Sequence, residues 1–262
     1  MDFLTHITEF YFFTFLVIFL RVTSFYFAAP VFGGAGVPPH TKVGLGILTS
    51  MVLLYTIEPG TFHFPGTVTE LAIMSVTEIL IGLLLGYAVA LLFAAVQIAG
   101  MLMGYQMGFA VANVLDPTSN EQVSIIGHFL FIFAILYFLT LNGHHLLIRA
   151  LTDSFTLAPP MGVGLSGNTV TIMLNMFTGM FILGLQIALP VIGTLFLIDV
   201  SLGIIAKTVP QMNVFIVGLP LKSIVGLLIM FVTFGLLSFL INAEVGKLLV
   251  NLYWLMKSLA AG

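Results

Sequence analysis

Apolar residues run along this chain in long blocks, separated by clusters of proline, glycine and polar side chains, without the alternation of a half-buried strand. Uncharged runs cover residues 22–41, 79–115, 122–148, 154–198 and 223–243. Each is at or beyond the roughly 20 residues that a helix needs to cross the hydrocarbon layer. A transmembrane barrel would show short alternating segments instead.

The breaks predict the elements. A helix over 10–28 ends at Ala29-Pro30 and a Pro/Gly cluster from Gly33 to Lys42, because proline lacks the N–H that continues a helix. A second helix over 43–57 stops at Glu58-Pro59-Gly60, and 58–69 reads as a short polar link. The pattern is helical over 70–105, longer than a bilayer requires, so this segment must tilt, kink or project. Residues 106–122 hold Asn113, Asp116-Pro117, Thr118, Ser119, Asn120 and Glu121, the most polar interior stretch. Helices follow over 123–141 and, beyond Asn142-Gly143-His144-His145, up to Phe155. A loop over 159–168 leads into a second over-long helix, 170–208, which Pro190 is expected to kink. A loop over 209–221 precedes a last apolar segment over 223–242. The tail over 243–259 is weakly amphipathic, with Glu244 and Lys247 one turn apart and Trp254 suited to an interface.

Composition turns these runs into a class. Of 262 residues 60% are apolar and 6% charged, against about 25% charged in soluble domains. A water-soluble globule is excluded, since it would expose apolar patches beyond what monomers tolerate. A net charge of −3 offers no basic stripe for nucleic acid. With no cysteine, disulfides and thiolate metal sites are excluded. The first basic residue is Arg21, so the N-terminal stretch lacks the basic region of a cleaved signal and is expected to be retained. The chain reads as an all-α, polytopic membrane-inserted protein of about six apolar segments, one domain over 1–262. Lysine and arginine bias does not set its orientation: Lys42, Lys207 and Lys222 would fall on one side, Arg149, Lys247 and Lys257 on the other.

Small residues recur every fourth position at Gly82, Gly86, Ala90 and Ala94, then at Gly100, Gly104 and Gly108. Such rows share one helix face and let another backbone approach closely. Within 108–122, apolar Phe109, Val111, Val114 and Leu115 mix with polar positions. The stretch is either a surface connection in water or a re-entrant segment that lines or blocks a pathway, since non-helical backbone at membrane depth must be buried or line a cavity. Arg21, Glu78, His128 and Asp199 are ionisable residues inside apolar runs or at their edges, expensive there and functional candidates by default; none pairs with another at helical spacing. His144 and His145 point about 100° apart on a helix, which argues against a shared metal. Gly164-Leu165-Ser166-Gly167 fits the G-x-S-G of rhomboid proteases, but no histidine follows His145 to act as base. Neither H-E-x-x-H nor a phosphate-binding G-x-x-x-x-G-K-[ST] occurs.

Several runs together resemble one family. Gln106-Met107-Gly108-Phe109-Ala110 with Asp116-Pro117, then Asn142-Gly143-His144-His145 with Arg149-Ala150-Leu151 and Ser154-Phe155, are similar to the FliR family of flagellar type III protein-export components. Pro210-Gln211-Met212-Asn213-Val214-Phe215 and Val217-Gly218-Leu219-Pro220-Leu221-Lys222 resemble that family's second signature. Arg21, Pro30, Val37-Pro38 and Lys42 fit as well.

The resemblance implies a non-enzymatic, cofactor-free subunit of the bacterial inner membrane and flagellar basal body. It would assemble with FliP and FliQ into an export gate of long kinked helix hairpins, with FlhB associated, through which unfolded flagellar subunits pass. The loop over 106–122 would plug the closed pore, with Gly108, Phe109, Val111, Val114 and Leu115 at the seal and Asn113, Asp116, Pro117 and Asn120 fixing the loop. Gly82, Gly86, Gly100, Gly104, Pro190, Pro210, Gln211, Asn213 and Pro220 would serve helix packing and assembly. A stand-alone small-molecule secondary transporter or channel is the alternative; it should show half-repeats around a midplane site, and no internal repeat is evident.

Overall fold

The computed structural model describes residues 2–34, 36–57, 65–109, 124–160, 164 and 166–260, with 2–9 as backbone alone. Every regular element among them is a helix: α1 (Asp2–Ala28), α2 (Pro30–Gly33), α3 (Pro39–Leu54), α4 (Val68–Gln106), α5 (Ile125–Thr140), α6 (Gly143–Leu157), α7 (Gly167–Thr208), α8 (Val214–Val232) and α9 (Phe234–Ala260). Phe10–Ala28 of α1 and helices α4, α7, α8 and α9 are each long and apolar enough to cross a membrane, and α5 with α6 makes a sixth if the pair is one broken span. The all-α, multispanning class expected from the apolar runs holds.

Local chemistry explains most ends. Pro39 opens α3 at its first turn, where a missing N–H costs nothing. Ser124 caps α5 by accepting from the Gly127 N–H, and Asn213 caps α8 by accepting from the Phe215 N–H. Asn142, at φ 56°, takes the left-handed conformation that asparagine tolerates and separates α5 from α6. Several boundaries differ from the sequence expectation: α1 begins at Asp2, and α3 begins at Pro39, inside the expected break, and ends at Leu54. The loop placed over 209–221 ends at Asn213, and Pro220 lies inside α8; its missing bond falls in the second turn, where the Asn213 cap already holds the helix start. The apolar segment expected over 223–242 breaks at Thr233, whose hydroxyl lies 2.9 Å from the Ile229 carbonyl and 3.1 Å from that of Met230. Side-chain bonding of this kind competes with the backbone ladder. Pro190 lies within α7, which continues through it. Of the link expected over 58–69, residues 58–64 lie outside the described residues.

The chain divides into two compact units, one of residues 1–91, 142–177 and 245–262, the other of 92–141 and 178–244. In the first, α1 presents Val17, Ile18, Val22 and Phe25, α4 presents Met74, Ile81 and Leu85, and α6 presents Leu147, Leu151 and Phe155, all buried. Arg21, Glu78 and Ser154 fall in phase with these stripes and are themselves 0% exposed. The Arg21 guanidinium donates Nε to Glu78 Oε2 at 2.6 Å and Nη2 to Oε1 at 3.0 Å. Its other donors reach the Ser154 carbonyl at 2.8 Å, the Ser154 hydroxyl at 3.1 Å and the Ala158 carbonyl at 2.9 Å, with the Phe155 ring centroid 4.2 Å from Cζ. All five N–H groups of the fork are used. The guanidinium also caps the C-terminal end of α6, where free carbonyls favour a cation. Gly82 and Gly86 bring α4 against α1: a Cβ at Gly82 would collide with Ser24 Oγ and the Arg21 carbonyl, and one at Gly86 would sit 2.8 Å from the Phe25 carbonyl.

In the second unit the same device joins α4 to α5. A Cβ at Gly100 would lie 2.5 Å from Gly127 Cα and 2.8 Å from its N. Beyond this crossing Phe93 meets Phe138 edge to face at 5.5 Å, and Phe133 of α5 meets Phe234 of α9 at 4.9 Å.

Candidate functional site

The polar segment at 110–123 leaves α4 and returns at α5, and the described residues on either side form its two roots within the second unit. The first root is a helix end of defined geometry. The Gly108 N–H donates to the Tyr105 carbonyl and the Phe109 N–H to the Gly104 carbonyl, both at 3.1 Å, with Gly108 at φ 89°. This is the Schellman arrangement, which asks for glycine at the left-handed position. Gly108 therefore ends α4, although it continues the four-residue spacing of Gly100 and Gly104. Gly108→Ala is expected to cost about 1–2 kcal/mol for the left-handed backbone, and Gly108→Asn less; thermal denaturation of the two purified variants checks the order.

Helix α8 grips this root. Lys222 Nζ lies 2.7 Å from Asp199 Oδ1 and 2.9 Å from Oδ2, and Gln106 Nε2 donates to the same Oδ2 at 3.0 Å. One turn of α8 thereby meets α7 and the last residue of α4. The neighbouring Ser223 hydroxyl lies 3.0 Å from the Met107 carbonyl. Met107, 0% exposed, fills a notch at Gly226, where a Cβ would come within 2.6 Å of its Cγ. Leu219 lies over Gly108. On the second root, Ser124 Oγ donates to the Gly100 carbonyl at 3.3 Å and sits where a Cβ at Gly104 would be 2.6 Å away.

The run 106–109 and the run 210–222, separated by about a hundred positions in the chain, thus come together. Phe109 is 36% exposed at the edge of the root. Val111, Asn113, Val114, Leu115, Asp116, Pro117 and Asn120 lie outside the described residues. Pro210 and Gln211 are exposed in the turn before α8, and Asn213 caps it. Asp199 was legible as an intramembrane charge, but its partner Lys222 was legible only as a motif residue and as one of the basic residues of the orientation bias. Elsewhere the rings of His144 and His145 lie 4.1 Å apart, and His144 Nδ1 is buried without a hydrogen-bond partner. No cluster of three potential metal ligands occurs among the described residues. Ser166, in the G-x-S-G run, accepts from the Thr169 N–H at 3.3 Å at the start of α7, as a helix cap does, in place of the plain loop expected over 159–168.

A family model described as bacterial export proteins, family 1, matches residues 12–248. The flagellar biosynthetic protein FliR of Bacillus subtilis (strain 168) is 36% identical over 225 residues, 83% of this chain and 85% of that one. The chain belongs to the FliR family of bacterial export proteins. FliR of Escherichia coli (strain K12) is 33% identical over 211 residues, 80% of each chain. FliR of Aquifex aeolicus (strain VF5) is 31% identical over 225 residues, 86% of each. The span matched by the export-protein family model contains Arg21 and Glu78 as well as Asp199, Lys222 and both roots.

Proposed function

We propose that this chain is a structural and gating subunit of the flagellar type III export gate in the bacterial inner membrane, at the flagellar basal body. With FliP and FliQ it forms the pore through which unfolded flagellar subunits leave, and FlhB associates with the assembly. The segment after α4 plugs the closed pore: Phe109, Val111, Val114 and Leu115 make the apolar seal, Asn113, Asp116 and Asn120 fix the loop, and Asp116-Pro117 sets a turn.

The observation that carries this reading is the pair of roots. The Schellman end at Gly108, the Asp199–Lys222–Gln106 network and the Ser124 bond to Gly100 hold both ends of a 14-residue polar segment at built positions. A plain surface connection needs no such anchorage. The outward side chains support assembly in an apolar setting: Phe215, Ile216, Phe231 and Val232 of α8 are each at least 70% exposed, which suits lipid or an apolar partner and does not suit water.

Deletion of 111–120 tests the reading. The shortened chain, co-expressed with FliP and FliQ, is expected to co-purify at the yield of the parent and to raise ion conductance of the closed complex in planar bilayers. Unchanged conductance would overturn the plug. A parent chain that purifies functional and alone, without FliP and FliQ, would point to the stand-alone transporter or channel.

A further inference from the structure

Asp199 and Lys222 lie in largely apolar helices whose one other charge is Lys207 in the last turn of α7, and each charge there costs free energy that an apolar side chain would not. Leu202 of α7 also packs at Gly218 of α8, so the two helices meet through apolar contact as well as through the pair. What the pair adds is a third member. Its carboxylate is the acceptor for Gln106, the last residue of α4. The side chains of Lys222 and Asp199 are 18% and 40% exposed, whereas Met107 beside them is 0% exposed in its notch at Gly226. The junction therefore has a buried apolar key and a less enclosed polar edge, where the ion pair has more room to part and re-form than the packed Met107.

We propose that Asp199 and Lys222 form a latch that positions the end of α4 and, through Gln106, the first root of the segment that follows; the plug reading is needed only for its effect on conductance. Asp199 is a positioning residue here. Its carboxylate sets where α4 ends, and Lys222 keeps that carboxylate in place. Gln106 suits the task because its amide offers both a donor and an acceptor, so the latch also closes with the charges exchanged.

The chain has no cysteine, so a spin label at Tyr105→Cys, an exposed position in the last turn of α4, reports the root alone. In the full chain assembled with its partners, Asp199→Asn and Lys222→Gln are each expected to increase label mobility. Closed-state conductance should rise about fivefold, the equivalent of roughly 1 kcal/mol in the closed-to-open ratio. The exchanged pair Asp199→Lys with Lys222→Asp should return both readouts towards the parent, as loss of packing alone would not. If the single variants fail to assemble, Gln106→Leu, which leaves the ion pair intact, should show the same increase in mobility. Unchanged mobility in the variants that assemble would overturn the latch. If mobility rises while neither these variants nor the 111–120 deletion leak, the plug reading fails and the latch stands.

Discussion

Arg21→Met should lower the stability of the purified chain by about 3–5 kcal/mol, the usual cost of leaving a buried charge without its partner. For a chain of this size that is a fall of on the order of 10 °C in thermal midpoint. Glu78 is 0% exposed, so no water replaces the guanidinium, and the Ala158 carbonyl loses its Arg21 donor as well, whereas the Ser154 carbonyl keeps the Ala158 N–H. Arg21→Lys should recover little, since an ammonium has three donors and no planar fork to reach Glu78, Ser154 and Ala158 at once. The double variant Arg21→Met/Glu78→Met should recover most of the loss, because two charges leave the interior together. A single variant as stable as the parent would show that the hub contributes nothing.

Gly100→Ala should be destabilising by about 2–3 kcal/mol, although alanine is intrinsically the better helix former by about 1 kcal/mol. The new methyl would meet only backbone, Gly127 Cα at 2.5 Å, its N at 2.8 Å and the Ile126 carbonyl at 2.9 Å, and backbone cannot turn aside as a side chain does. At the facing Gly127 the nearest atom is the Gln97 carbonyl at 3.1 Å, followed by Met101 at 3.4 Å, so Gly127→Ala should cost less. Unfolding of the two variants in detergent checks the order, and equal stabilities would mean that α4 and α5 have room to separate.

Much of the helical plan was legible because Pro/Gly clusters and polar stretches punctuate the apolar runs. α4 over Val68–Gln106 and α7 over Gly167–Thr208 fall within a few residues of expectation. The misses came where local signals mislead. Pro220 reads as a loop residue, yet lies in a helix already started by Asn213. The break at Thr233 has no proline to announce it, and its hydroxyl bond to the Ile229 carbonyl is of a kind that unbroken helices also carry, as at Thr194. The Arg21–Glu78 pair is 57 positions apart, so a search at helical spacing passes over it. Each member, however, lies in phase with a buried stripe, Val17, Ile18, Val22 and Phe25 on one helix and Met74, Ile81 and Leu85 on the other, and that phase was the available signal.

By itself the sequence determined the helical class, the apolar segments long enough for a membrane and the family, because run length, punctuation and ordered motifs are local properties of the chain. Only the tertiary structure decided what the members of one spacing do. Gly100 meets a crossing backbone, whereas Gly108, in the same row, turns the chain out of the helix. It also decided that Asp199 is held by Lys222 and Gln106. Such pairings depend on where helices cross and on the face each presents there, and no single segment contains that information.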